Sequence, residues 1–153
     1  MRDWIASFAG QRWGAPVIVA HGCVYDLTAL PGFAAFDGQG YVGLITYSIQ
    51  GPACEIVSLD SVYEKRGIGT ALIEAVKAVA RRAGCQRLWL VTTNDNLNAL
   101  RFYQKRGFKL VAIYRDAVEQ ARKLKPQIPL VGEHGIPVRD EIELELPLTR
   151  HMP

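Results

Sequence analysis

The pattern of apolar and polar positions divides the chain into short strands followed by alternating strands and helices. β-Branched and aromatic stretches bounded by glycine or proline predict strands over residues 16–25, 33–36, 41–49 and 53–59. His21 and Gly22 interrupt the first stretch, so we expect a single strand with a bend at that point. The glycine-bearing connection 37–40 has the length that joins two antiparallel strands, which predicts a hairpin.

Helical periodicity begins in the middle of the chain. Over residues 68–83 apolar side chains recur at every third or fourth position, arginines occupy the last turn and Gly84 follows as a C-cap. This segment predicts the most regular helix. The polar side chains of residues 94–96 are typical N-caps and begin a second helix that ends near Arg106.

Two shorter helices and three more strands complete the prediction. Asp116 caps a helix over residues 116–125, and Trp4, Ile5 and Phe8 share one face of a short N-terminal helix. The remaining strands are predicted over residues 87–92, 108–114 and 141–146. The last of them alternates strictly as EIELEL, which is typical of an amphipathic strand.

This order of elements indicates one α/β (α+β) domain over residues 1–153. A strand, a helix and a strand at this spacing form a parallel pair with a crossover connection. The strands before and after that unit are joined as antiparallel neighbours. We therefore expect a mixed, mostly antiparallel central sheet with one parallel strand-helix-strand crossover and helices on both faces.

Composition supports a folded single domain and excludes several classes of protein. With 49% hydrophobic and 22% charged residues, the 153-residue chain resembles neither a disordered nor a fibrous protein. No apolar run reaches the roughly 18 residues of a membrane span, so we expect a cytoplasmic protein without a membrane partner. Cys23, Cys54 and Cys85 are too dispersed for a zinc site and are interpreted as core thiols, with no metal expected. The net charge of +3 suits an anionic ligand but is too small to indicate nucleic acid.

A glycine-containing loop lies between a predicted buried strand and the most regular helix. Residues 64–71 read EKRGIGTA, and the backbone N–H groups of such a helix start converge where the helix dipole is positive. Gly67 and Gly69 would let the backbone approach an anion, and Lys65 and Arg66 add positive charge at the rim. The loop lacks the Gly-Lys-Ser/Thr ending and the third glycine of the two common nucleotide fingerprints. Pyrophosphate binding and a ligand-free helix start both remain open for this loop alone.

A second candidate group lies on the following helix. Tyr103 follows Asn96 by seven residues, so the two side chains share a helix face about 10 Å apart along the axis. Ala99 lies between them, and its small side chain leaves room for a ligand on that face of the helix. An amide at one end and a phenol at the other suit an extended ligand, although core packing is the alternative for a helical tyrosine beside Phe102.

Together the two groups resemble the GNAT superfamily of acetyl-CoA-dependent N-acetyltransferases. That family carries an Arg/Gln-x-x-Gly-x-Gly/Ala loop and an Asn-x-x-Ala-x-x-x-Tyr-x-x-x-Gly-Phe helix. The second pattern is complete here in Asn96, Ala99, Tyr103, Gly107 and Phe108. The first departs from the family at one position, where Glu64 replaces Arg or Gln.

The resemblance implies a site for acetyl-CoA as cosubstrate, with no metal. The pantetheine arm would insert between strands 53–59 and 87–92, and the thioester would be attacked directly by a primary amine. Tyr103 would protonate the leaving sulfur, and Glu55 is the first candidate for the base, with Asp60 and His21 as weaker ones. The residues that the resemblance implies for acetyl-CoA binding are Val57, Ser58, Leu59, Lys65, Arg66, Gly67, Ile68, Gly69, Thr70, Asn96 and Tyr103.

Several alternatives stay open at the level of sequence. A non-catalytic acyl-CoA-binding or sensor domain would keep the same loop. Independently of that alternative, Glu55 is either the base or a carboxylate held in a structural ion pair. A nucleic-acid-binding module is the least economical alternative and would use the basic residues Lys65, Arg66, Arg101, Lys105 and Arg106. The amine acceptor is not identified, and its site would come from the N-terminal segment, from the loop 131–138 or from a second subunit in a homodimer.

Overall fold

The computed structural model describes residues 17–63 and 67–148. The helix predicted around Trp4, Ile5 and Phe8, together with Lys65 and Arg66, lies outside these residues. No helix in the described part of the chain is both long enough and apolar enough to cross a membrane.

The first described element is a β-hairpin and not the single bent strand that the sequence predicts. β1 (Val17–Ala20) pairs antiparallel with β2 (Cys23–Asp26). His21 and Gly22 form the two-residue turn, with φ values of 40° and 80°. Positive φ at both turn residues is the geometry that matches the twist of a tight hairpin, so the interruption reverses the chain instead of bending it.

Six further strands form the central sheet in the order β3-β4-β5-β6-β8-β7. Among them only β5 and β6 run parallel, which confirms the predicted mixed and mostly antiparallel fold. Their bounds are β3 (Gly32–Phe36), β4 (Tyr41–Gln50), β5 (Ala53–Ser61), β6 (Arg87–Thr93), β7 (Lys109–Tyr114) and β8 (Glu141–Pro147).

Three α-helices lie on the two sides of this sheet. α1 (Ile68–Arg82) packs against β3, β4 and β5, and α2 (Leu97–Lys105) contacts β7. α3 (Ala117–Leu124) contacts β1 and therefore belongs to the side that the hairpin covers. Asp116 stands at the N-cap of α3 as predicted, but it has φ 60° and makes no side-chain capping bond.

The two faces of the sheet differ in chemistry. The helix face, towards α1 and α2, holds the main apolar core, which includes Ile45, Cys54, Ile56, Leu72, Ile73, Val76, Leu88, Leu90, Tyr103 and Leu144. The hairpin face, under β1 and β2, holds a small apolar cluster around Leu27 and Leu44 and, beside it, a group of polar side chains. Because side chains alternate along a strand, one strand supplies both faces.

β8 shows the consequence of this arrangement. Its alternation is confirmed, with Leu144 in the helix-face core. Its glutamates are nevertheless largely withdrawn from water, since Glu141 is 4% and Glu143 9% exposed. The predicted solvent side of the strand is thus a covered surface on which carboxylates meet other polar groups.

Candidate active site

The parallel strands β5 and β6 separate soon after they begin. Their ladder contains Ala53↔Arg87, Cys54↔Leu88 and Glu55↔Trp89 and then stops, although β5 continues to Ser61. β6 instead stays paired with β8 along its whole length. The β6-facing edge of β5 beyond Glu55 consequently has no strand partner, and its backbone N–H and C=O groups are available to a ligand that carries amides.

A β-bulge lies in β5 immediately after this separation. Thr46 pairs with Ser58, and Tyr47 pairs with Ile56, which leaves Val57 without a partner in β4. The Ser58 hydroxyl shares a buried hydrogen bond of 2.6 Å with Thr46 Oγ1. Such a bulge interrupts the regular ladder and re-aims backbone groups. Of the three residues 57–59 implied for the cosubstrate site, Val57 is therefore the irregular one, while Ser58 and Leu59 stay paired with Thr46 and Ile45 of β4.

On the hairpin face, Glu55 forms a hydrogen-bonded cluster with two side chains of the hairpin. Its Oε2 lies 2.8 Å from His21 Nε2, and its Oε1 accepts a 2.6 Å hydrogen bond from the Tyr25 hydroxyl. The same hydroxyl is 3.3 Å from His21 Nε2. Burial and then the bond to Glu55 raise the pKa of Tyr25 far above its ordinary value, so the phenol keeps its proton.

A cleft of about 190 Å³ opens beside this cluster. The Trp89 ring forms part of its wall, with its centroid 5.0 Å from the His21 ring, and Arg87 stacks on the same indole at 4.9 Å. Glu55 and Trp89 are also the last pair of the parallel ladder. The cleft therefore begins where the strands separate; its walls are His21, Cys23, Tyr25, Ser48, Gln50, Ala53, Glu55, Arg87 and Trp89.

Only two of the three cysteines behave as the sequence predicts. Cys54 and Cys85 are buried, and burial raises the pKa of the Cys54 thiol to about 12. Cys23 is exposed on β2 and lines the cleft, so its interpretation as a core thiol is wrong. The error has the same origin as the missed hairpin, because a bent strand in the sheet would have covered that position.

The two glycines of the predicted phosphate loop have different physical roles. Gly67 caps α1 with φ +74°, and among residues 17–63 and 67–148 no atom outside its chain neighbours lies within 4 Å of the place where its Cβ would stand. This backbone is open to a ligand. A Cβ on Gly69 would lie 2.9 Å from the Phe102 ring, so the packing of α2 against α1 also requires a glycine at this position.

Arg106 brings a positive charge to the start of α1 from α2. Its Nε donates a 2.9 Å hydrogen bond to Thr70 Oγ1, and its guanidinium lies 3.6 Å from the centre of the Phe102 ring. In the sequence, Arg106 stands with Arg101 and Lys105 among the basic residues that a nucleic-acid-binding module would use. The structure separates it from them, because the packing of Phe102 against Gly69 places it beside the first turn of α1.

Asn96 and Tyr103 occupy the two ends of α2. Asn96 Oδ1 accepts from the Ala99 backbone N–H at 3.2 Å, and its Nδ2 donates to Thr92 Oγ1, so this amide has structural partners. Tyr103 is 7% exposed and packs edge-on against Phe102 and Phe108. Its hydroxyl has no hydrogen-bond partner within residues 17–63 and 67–148. Burial raises its pKa well above the ordinary tyrosine value, which keeps the phenol protonated.

A model of the acetyltransferase (GNAT) family matches residues 2–108. The chain belongs to the GNAT family. YdhI of Bacillus subtilis (strain 168) is 50% identical over 142 residues, covering 92% of this chain and 89% of its own length. YxbD of the same organism is 46% identical over 144 residues, covering 94% and 91%.

Solved structures agree with the family assignment and with the fold. A Bacillus subtilis acetyltransferase in complex with CoA is 28% identical, with a TM-score of 0.64 over 76% of this chain and 75% of its own. A GNAT acetyltransferase from Elizabethkingia anophelis with acetyl-CoA bound has a TM-score of 0.69 at 22% identity, over 79% and 78%, and supports the fold alone. This GNAT protein is accordingly an acetyltransferase with a mixed sheet and one parallel pair.

The structure also adds residues to the candidate site of this GNAT protein. Tyr25 has no signal in the sequence, because only the β1–β2 turn brings it to Glu55. His21 was a weaker candidate for the base and lies directly on Glu55. Asp60, the other weaker candidate, accepts from its neighbour Ser61 N at 2.8 Å and does not line the cleft.

Proposed function

We propose that this GNAT protein transfers an acetyl group from acetyl-CoA to a primary amine by direct attack. One observation carries the proposal. The opening between β5 and β6 begins at the pair Glu55↔Trp89, whose side chains line a cleft on the hairpin face. A thioester held in that opening would be exposed to an amine in the cleft.

Acetyl-CoA would bind along the edge that β6 leaves free. The amides of pantetheine would pair with backbone groups of Val57, Ser58 and Leu59, as a strand added to an unpaired edge does. The pyrophosphate would lie at the backbone of residues 67–70, where Arg106 adds a fixed charge and Lys65 and Arg66 are proposed to add theirs. Asn96 is proposed to contact an amide of the arm through its remaining N–H. The relatives whose structures hold CoA or acetyl-CoA support this choice of cosubstrate.

The base and the acid of the proposed reaction lie on opposite faces of the sheet. The Glu55 cluster is on the hairpin face, where the ammonium of the acceptor would arrive and give up a proton. Tyr103 belongs to the core on the helix face, with a protonated hydroxyl that has no partner in the described part of the chain. The amine would attack from one face, and the thiolate would leave towards a proton donor on the other.

The tetrahedral intermediate needs donors for its oxyanion. Backbone N–H groups at the bulge around Val57 are the proposed donors, because they lie at the opening and are held by the sheet before the reaction begins. In this reaction the C–N bond forms and the C–S bond breaks, with amide and thiol as products.

The proposal is tested by binding and turnover measured separately. Calorimetry with acetyl-CoA and CoA is expected to show binding, and release of free thiol in the presence of an amine panel is expected to show transfer. Binding without turnover on polyamines, amino sugars, peptide N-termini and lysine peptides would favour the sensor alternative. Absence of binding to both acetyl-CoA and CoA would overturn the proposal.

A further inference from the structure

We infer that His21, and not Glu55, takes the proton from the acceptor amine, and that Glu55 holds the imidazole in the tautomer that can do so. The inference rests on the proposed function, because it names the base of that reaction. The inference follows from which atoms of Glu55, His21 and Tyr25 already take part in hydrogen bonds.

Both oxygens of Glu55 have partners. Oε1 accepts from Tyr25, and Oε2 faces His21 Nε2. The Glu55 side chain is only 6% exposed, whereas that of His21 is 24% exposed. Glu55 therefore presents little open surface to an ammonium, while the imidazole is the more exposed member of the pair and the one that water and a ligand can reach.

The hydrogen bonds also indicate which nitrogen carries the proton. An ionised carboxylate only accepts, so each partner of Glu55 must donate to it. The single proton of Tyr25 is used on Oε1, which leaves His21 Nε2 as the donor to Oε2. Nδ1 then carries the free lone pair, and it has no hydrogen-bond partner within residues 17–63 and 67–148. This is the relation in which a buried carboxylate orients a histidine base.

The backbone at His21 is held as firmly as its ring. His21 is the first residue of the hairpin turn, with φ 40°, and its N–H donates to both oxygens of Glu141 at 3.1 and 3.3 Å. Strand β8 thus anchors the turn while β5 anchors the imidazole. A non-glycine residue with positive φ is uncommon and is worth a functional explanation.

The charged and titratable groups around the imidazole come from four strands. Cys23 and Tyr25 face it from β2, Glu55 from β5, Arg87 from β6 and Glu141 from β8. Glu55 and Glu141 are the two carboxylates among these five groups. Arg87 is paired with Glu143 and Glu145 at 3.2 and 2.9 Å, so its guanidinium already has two carboxylate partners.

The protons balance as follows. The ammonium of the acceptor loses one proton to His21 Nδ1, and its nitrogen then forms the C–N bond to the thioester carbonyl. The adduct nitrogen loses a second proton to water as the C–S bond breaks, and the sulfur takes one proton from Tyr103. Water reprotonates Tyr103 and removes the proton from His21. The sum is one amide, one thiol and one released proton.

The tautomer can be tested on the free protein without any ligand. Two-bond ¹H–¹⁵N spectra of histidine-labelled protein distinguish the Nε2–H from the Nδ1–H form of a neutral imidazole, and the His21→Asn variant assigns the signals. We expect His21 in the Nε2–H form in the wild type and a mixture of tautomers in Glu55→Gln. A wild-type His21 in the Nδ1–H form would overturn the inference whatever the protein acetylates.

Kinetics test the role in catalysis. His21→Asn is expected to lower kcat about 10²- to 10⁴-fold with unchanged acetyl-CoA affinity, and to lose the acidic limb of the pH–rate profile. Asp116→Asn is the matched control, since Asp116 is also a non-glycine residue with positive φ, at 60°, but lies at the start of α3 outside the residues that line the cleft. Asparagine tolerates this conformation, so both variants should fold.

The outcomes separate this inference from the proposed function. If the wild type transfers acetyl groups and His21→Asn keeps the wild-type kcat and pH profile, the base is not His21 and the inference fails. If the wild type binds acetyl-CoA but acetylates no amine, the proposed function fails, and the tautomer measurement still decides the geometry of the pair.

Discussion

The two faces of the central sheet differ in how far apart in the sequence their interacting residues lie. On the helix face, α1 and α2 carry the family motifs as short patterns within one helix or one helix start, and the contact of Arg106 with Thr70 across 36 residues is the exception. On the hairpin face, Glu55 meets His21 and Tyr25 across separations of 34 and 30 residues, and His21 meets Glu141 across 120. The face that would bind the cosubstrate carries short motifs that can be recognised in the sequence. The face that would bind the acceptor is formed by residues from strands that are far apart in the chain.

This difference explains why the sequence reveals the family but does not reveal the acceptor. A motif that follows helical spacing persists in the sequence as a readable pattern. A contact between a turn and a strand leaves no such pattern. Each prediction below changes residues on one face of the sheet and gives the expected effect on catalysis, on acetyl-CoA binding or on stability.

The largest effect is expected on the hairpin face. Glu55→Gln should lower kcat about 100-fold or more, because the carboxylate that orients His21 is lost. The double variant His21→Asn/Glu55→Gln should be no slower than His21→Asn alone, since residues that act as a unit are not additive. Steady-state kinetics on the best amine of the panel measures both.

The control for this cluster is Glu74→Gln, which changes an exposed glutamate of α1 that is bonded only to Lys77 on its own helix. Its kcat should equal that of the wild type. A multiplicative loss in the double variant would mean that His21 and Glu55 act independently.

Tyr103→Phe tests the helix face and should have the next largest effect. Removing the phenol leaves the buried ring in place but deprives the departing thiolate of its proton donor, so we expect a 10- to 100-fold fall in kcat, about 1.4 to 2.7 kcal/mol. Acetyl-CoA affinity by calorimetry should stay the same. Tyr41→Phe is the control, since Tyr41 is an exposed tyrosine at the start of β4. An unchanged kcat in Tyr103→Phe would remove Tyr103 from the mechanism.

Arg106→Gln should weaken cosubstrate binding without changing the chemical step. We expect the acetyl-CoA Kd to rise about 5- to 20-fold, as for one charge-assisted contact of roughly 1 to 2 kcal/mol. Binding of acetyl-pantetheine, which lacks the pyrophosphate, should not change. Arg101→Gln is the matched control on the same helix, where Arg101 donates to Asn98 and to no other side chain in the described part of the protein. Equal weakening for both ligands would show that Arg106 acts through packing on Phe102 alone.

The smallest effect concerns stability and not catalysis. Burial raises the pKa of Glu141, and the bond from His21 only partly opposes the shift. The folded protein then binds this proton more tightly than the unfolded chain does, so its stability falls as pH rises from the ordinary glutamate pKa of 4.5 through the higher folded value.

Glu141→Gln should make that fall shallower, because an amide has no charge to bury and its oxygen can still accept from the His21 N–H. Urea unfolding at several pH values measures the slope, with Glu119→Gln on the exposed side of α3 as the control. A slope identical to that of the wild type would show that Glu141 does not carry the expected cost of burial.

The sequence by itself determined the fold class and, to within a residue or two, the bounds of α1 and α2, and it supplied the residues proposed for the cosubstrate site. These features can be predicted because helical periodicity, capping residues and helix-ending glycines each depend on residues only a few positions apart in the sequence. Only the tertiary structure shows that residues 17–26 fold back as a hairpin. It also shows that Phe102 packs against Gly69 and that Arg106 donates a hydrogen bond to Thr70. It also decided that a carboxylate on β5, a histidine in a turn and a tyrosine on β2 form one cluster. These are contacts between surfaces distant in the chain, and their geometry depends on how the whole sheet packs.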